Sequence, residues 1–265
     1  MKNQINIRTA FGVVIISLLA AFFTGALFLA IGIDSESTQE PRQPFAFLSF
    51  IIGQSCMVIP LFWFLKSRNE SIFINLRIRF IKLHSVLSTI YLSFGIIIIS
   101  DALDRAIQRF IPAPEYIVDL NSLLRPESIL GFILLFTAVA IIAPLGEELL
   151  FRGFFQQVLE KHWKDVTRAV LVTALFFTII HMNPYWFVQI YILGVILGFL
   201  AWKTNSVIPS LILHSMNNAT AILFSFINME ENYFYLYNGY VAPWIIIPAF
   251  YALYYGFKGI NRENF

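Results

Sequence analysis

Charge-free runs long enough to cross a membrane restrict this chain more than any other feature. Phe11 to Ile33 is 23 residues without an ionisable side chain, and similar apolar blocks recur toward the C-terminus. A helix needs about 20 apolar residues to span ~30 Å of hydrocarbon. No water is present there to satisfy bare backbone, so each block has to be helical. The chain is 58% hydrophobic and 13% charged, against about 25% charged in soluble domains. The sequence predicts an all-α polytopic membrane helix bundle, with one transmembrane domain over 1–265. The first run exceeds the roughly 7–15 apolar residues of a secretory signal core and is retained as a span. A single cysteine, Cys56, excludes an internal disulfide framework. The net charge of +2 is spread over short loops, which argues against nucleic acid as a partner.

About eight spans are expected: Phe11–Ile33, Phe45–Leu65, Leu83–Ser100, one starting near Ser128, Thr167–His181, Tyr185–Trp202, Ser206–Met229 and Val241–Phe257. The fourth continues past Arg152, since nothing before Trp163 stops it firmly. The basic segment from Lys66 to Lys82 interleaves Ile72, Phe73, Leu76 and Phe80, the pattern of an interfacial amphipathic helix. Asp34 to Pro44 reads as a charged loop. Prolines at 112, 114 and 126 argue against one continuous helix over Asp101–Glu127. With both termini in the cytoplasm, the cytoplasmic segments hold 14 of the 18 Lys and Arg and the opposite side holds Arg42, Arg105, Arg109 and Arg125. That asymmetry is the one the positive-inside rule expects.

Few polar side chains then lie at depth: Glu147, Glu148 and Arg152 on the fourth span, His181 on the fifth, and His214, Asn217 and Asn218 on the seventh. The acidic pair follows sixteen uncharged residues, Gly131 to Gly146. An ionised group near the bilayer centre costs roughly 2.5–3.5 kcal/mol, so it is kept for pairing, for lining a wet cavity or for chemistry. Glu148 and Arg152 are four apart and share a helical face. Glu147 points about 100° away, which assigns the two carboxylates different tasks. His214 and Asn218 project together at the same spacing, and Phe177 stacks one turn from His181.

Each group alone has a plain reading. Intramembrane His and Asn serve as glue between helices, and Glu148 with Arg152 reads first as a structural ion pair. The conjunction says more. A carboxylate and an imidazole can hold and deprotonate one water, while a second imidazole and an amide can stabilise an oxyanion. The same donors, Glu147, His181 and His214, can also bind Zn²⁺. The His-Glu-x-x-His signature of soluble metalloproteases is absent.

Glu147-Glu148-x-x-x-Arg152, Phe177-x-x-x-His181 and His214-x-x-x-Asn218, in this order, resemble the three-motif signature of the CPBP intramembrane proteases. This is the CAAX protease and bacteriocin-processing family, also called Abi, which includes the Rce1-like prenyl-protein proteases. The resemblance covers about Pro144 to Asn218, within a motif-bearing core of about 128–229. It implies a helical bundle with a cavity opening toward the cytoplasm. By the same resemblance Glu147 is the general base, His181 positions the water, His214 and Asn218 form the oxyanion site, and Arg152 holds Glu148. The expected activity is an intramembrane endopeptidase that requires no cofactor, with Zn²⁺ as the alternative. Its partners are membrane lipids and a peptide or protein substrate, lipidated in some relatives. The expected location is the inner membrane of a bacterium or the endoplasmic reticulum of a eukaryote. The rival readings are a non-catalytic scaffold or immunity-type protein of the same fold, and a transporter. The halves show no matching pair of Gly/Pro-broken spans, which weighs against a transporter.

Overall fold

The computed structural model describes residues 5–32, 43–115, 117, 125–226 and 234–262. Among the described residues the helices are α1 Ile7–Ile31, α2 Gln43–Cys56, α3 Val58–Ser67, α4 Ile72–Asn75, α5 Leu83–Gln108, α6 Ile129–Phe136, α7 Ala143–Glu147, α8 Gln156–Trp163, α9 Val166–Ile180, α10 Phe187–Thr204, α11 Ile208–Phe226 and α12 Pro243–Arg262. Among the described residues, five helical stretches are long and apolar enough to cross a membrane: Ile7–Ile31, Gln43–Ser67, Leu83–Phe110, Ile129–Trp163 and Phe187–Thr204. The apolar helix α9 is shorter. The chain is an integral membrane protein, and its described residues are all-α apart from one small hairpin.

Helices α6 to α8 form one rod, Ile129–Trp163, in which two stretches of π-helix, Thr137–Ile142 and Glu148–Phe155, alternate with α-helix. Pro144 gives a local reason for the first. It has no N–H to donate, and its ring crowds the carbonyl four residues back. That carbonyl belongs to Ala140, inside the widened stretch. Such i→i+5 turns recur at functional sites. Here Glu147 ends α7 and Glu148 opens the second widened stretch.

Two compact units divide the chain. The first is 1–80 with 126–211, and the second is 81–125 with 212–265. In the first, α1 packs on α2 and α9 on α10. Leu61, Leu65, Leu150, Phe151 and Phe154 sit in its core. In the second, α5 and α12 run antiparallel at close range. A Cβ on Gly95 would lie 2.7 Å from the Ala249 carbonyl, and one on Gly256 would lie 2.5 Å from the Leu92 nitrogen. Small residues of this kind let membrane helices approach closely. A hairpin pairs Leu236–Tyr237 with Tyr240–Val241. Asn238 (φ 51°) and Gly239 (φ 78°) make its turn, the left-handed pair that a two-residue type I′ turn requires. Tyr235 donates to Asp101 Oδ2 at 2.9 Å, and Arg109 donates to the Asn238 carbonyl at 2.8 Å.

Two expectations change. The third run stays helical to Gln108, because Asp101 and Arg105 pair at 2.8 Å one turn apart inside the helix. The basic segment is not a continuous amphipathic helix: α4 is one turn. Arg77 takes a left-handed conformation (φ 51°) that ends it, and Leu76 is wedged against Gly153, whose added Cβ would lie 2.7 Å from the Leu76 carbonyl. The loop charges from Asp34 to Arg42, and 227–229 at the end of the seventh expected run, lie outside the described residues.

Candidate active site

Glu148 and Arg152 pair as their spacing predicts. Arg152 Nη1 donates to Glu148 Oε1 at 2.8 Å, with the two side chains 0% and 1% exposed. The guanidinium is held from two further sides. Nη2 donates to the Gly194 carbonyl at 3.3 Å, and the charge lies 4.0 Å from the Phe177 ring centre. Glu147 is half-buried rather than sealed, and close enough for its charge to act on the same guanidinium.

Phe177 joins the ion pair to His181. It meets Phe151 edge-on at 5.6 Å and the His181 ring at 4.6 Å. His181 caps the C-terminus of α9 and is exposed. Its Nδ1 lies 2.6 Å from the Phe177 carbonyl. A carbonyl only accepts, so Nδ1 carries the proton, and Nε2 is the accepting nitrogen of the neutral ring. Beyond it, Asn183 Oδ1 accepts from the Trp186 N–H at 3.1 Å and starts the turn into α10.

His214 and Asn218 lie in the second unit, one turn apart on α11. His214 is buried, at 3% exposure. Asn218 Oδ1 accepts from Asn217 Nδ2 at 3.3 Å, so the donating end of Asn218 is its Nδ2. Asn217 thereby acts on its neighbour's carboxamide. Pro209 stands in the first turn of α11, where a missing N–H costs nothing.

Sequence reasoning stopped at Arg152, but the polar file continues. Gln156 Nε2 donates to the Gly198 carbonyl at 2.9 Å and to Glu160 Oε1 at 2.9 Å. Glu160 in turn forms an ion pair with Arg77, both nearly buried. Positions 148, 152, 156 and 160 are an unbroken series at spacing four, and Gly194 and Gly198 repeat it on α10. Both series were legible. A Cβ on Gly198 would sit 2.8 Å from Gln156 Oε1, so the bare glycine is what admits the amide. Among the described residues, no group of three or more His, Cys, Asp or Glu side chains is placed to hold a metal ion.

The parts present can hold one carboxylate inert, keep its neighbour accessible, and orient an imidazole with a basic nitrogen outward. Residues 129–220, which include all six candidate residues, match the family model described as type II CAAX prenyl endopeptidase Rce1-like. No curated protein and no solved structure matches the chain at a significant level.

Proposed function

We propose that this chain, whose residues 129–220 match the Rce1-like CAAX endopeptidase model, hydrolyses peptide bonds near the cytoplasmic face of its membrane. In this reading eight helical runs cross the bilayer and both termini are cytoplasmic, as the distribution of Lys and Arg favours. One observation carries the assignment of roles. Glu148 is bound to Arg152 in a sealed pocket, whereas adjacent Glu147 is half-buried. The first carboxylate is enclosed with its counterion, whereas the second keeps an accessible edge.

Glu147 removes a proton from water as the water oxygen bonds to the substrate carbonyl carbon. His181 Nε2 accepts the second O–H of that water and sets its direction of attack. The carbonyl oxygen takes up negative charge, which the N–H donors of His214 and Asn218 stabilise. Glu147 then returns its proton to the leaving nitrogen as the C–N bond breaks. The roles of His214 and Asn218 rest on the family match, which runs through both residues. The substrate is an apolar or lipidated peptide, since it has to reach a site bordered by membrane helices.

The test is cleavage of a library of fluorogenic peptides, with and without a lipid anchor, by protein reconstituted in liposomes. Glu147→Gln is expected to lower turnover about 100-fold to 10,000-fold, the usual worth of a general base, while thermal stability holds. A chelator arm should leave wild-type turnover unchanged, because the mechanism routes no step through a metal. Full activity in Glu147→Gln would overturn the assignment, and loss of activity on chelation would overturn its metal-free form.

A further inference from the structure

A groove of about 290 Å³ lies in the second unit and is lined by His84, Ser88, Tyr91, Tyr255, Lys258 and Arg262 among others, none of them assigned to hydrolysis. Its two walls are the start of α5 and the end of α12. These come together because Ser88 and Gly259 touch: a Cβ on Gly259 would overlap the Ser88 hydroxyl. The groove therefore sits at one end of an antiparallel helix pair, where the apolar run of Leu83–Phe110 begins. None of its lining residues is acidic. Lys258 lies 3.5 Å from the Tyr254 hydroxyl and 5.3 Å from its ring centre, which holds the ammonium at the level of the tyrosines. Tyr91, Tyr254 and Tyr255 are exposed, and amphipathic rings of this kind settle at the headgroup layer of a bilayer.

These observations fix the chemistry of an occupant. Two cations, one imidazole and several hydroxyls line an open space, and no carboxylate lines it among the described residues. Arg and Lys bind phosphate oxygens through charge-assisted hydrogen bonds. At the end of a membrane helix pair the phosphate at hand is a lipid headgroup. The geometry points to a site for one anionic glycerophospholipid, with its phosphate between Lys258 and Arg262 and its acyl chains along the exposed Leu87. The Lys and Arg distribution puts this end in the cytoplasm, facing the leaflet where anionic lipids concentrate.

The experiment uses the full chain in nanodiscs of phosphatidylcholine, alone or with phosphatidylglycerol. Retained lipid is counted by native mass spectrometry after mild delipidation. Wild-type protein is expected to keep one phosphatidylglycerol in preference to phosphatidylcholine. A basic residue near the surface is worth about fivefold in such binding, so Lys258→Gln/Arg262→Gln should weaken the preference about 30-fold. Lys66→Gln/Arg68→Gln, which removes the same charge elsewhere, should leave it unchanged. If the first double variant does not fold, Arg262→Gln alone, at the exposed end of α12, should still lose about fivefold. Equal preference in wild type and the groove variants would overturn the proposal. So would an equal loss in the Lys66/Arg68 variant, which would mean diffuse attraction, or displacement of the lipid by millimolar inorganic phosphate, which would mean a free-anion site.

Discussion

Replacing Arg152 by methionine isolates the energetics of the sealed ion pair. The substitution keeps most of the buried volume but removes three contacts: the 2.8 Å bond to Glu148, the 3.3 Å bond to the Gly194 carbonyl and the cation over Phe177 at 4.0 Å. The largest loss is not the contacts but the charge left behind. Glu148, fully enclosed, would have to stay ionised without its counterion or take up a proton. Breaking a buried pair on one side costs about 3–5 kcal/mol, whereas replacing both partners with apolar groups is often near neutral. At about 2–4 °C per kcal/mol, Arg152→Met should lower the melting temperature by about 6–20 °C. Glu148→Leu/Arg152→Met should recover most of that. Thermal unfolding in one detergent, followed by intrinsic tryptophan fluorescence, measures both. A single variant melting within about 2 °C of wild type, or a double variant as unstable as the single, would refute the reasoning.

Gly153→Ala should destabilise the protein by about 1–3 kcal/mol, as overpacking does, because its Cβ meets the Leu76 carbonyl at 2.7 Å and neither side is a flexible side chain. His214→Ala and Asn218→Ala should each lower turnover about 100–1000-fold, the cost of one oxyanion donor; peptide cleavage by purified protein checks this. Burial, then the charge and hydrogen bond of Asp101, push the Tyr235 phenol well above its usual pKa. The folded state therefore holds that proton more tightly than the unfolded chain does. Its contribution is complete below pH ~10, where free tyrosine titrates, and is lost as pH rises further. Tyr235→Phe should flatten the alkaline arm of a stability–pH curve.

Much of this was written in the sequence because membrane helices announce themselves by length and lack of charge. The rod ending at Trp163 and the pairing of Glu148 with Arg152 follow from apolar run length and from spacing. So does the contact of the His181 ring with Phe177. Other features were set by contacts distant in sequence. No glycine or proline ends α4 after one turn; the left-handed turn at Arg77 and the packing of Leu76 against Gly153 do. The persistence of α5 to Gln108 depends on Asp101 and Arg105 satisfying each other inside a segment that composition alone marks as loop. The hairpin carried its signal in Asn238-Gly239, a turn pair hidden between two long apolar runs. The widened turns around the acidic pair had only Pro144 as a clue. The tautomer of His181 could not be read at all, since it depends on where one backbone carbonyl points.

The difference between the two ion pairs of the rod bears on how the chain enters its membrane. Glu148 and Arg152 meet as soon as a single turn forms, so the nascent segment leaves water with those charges already cancelled. Unpaired, each would oppose partitioning by roughly 2.5–3.5 kcal/mol at the bilayer centre. Glu160 has no such head start, because its counterion Arg77 is 83 positions earlier. Insertion of the rod can thus precede its docking, and the Arg77 clasp closes only once separately inserted segments have found one another.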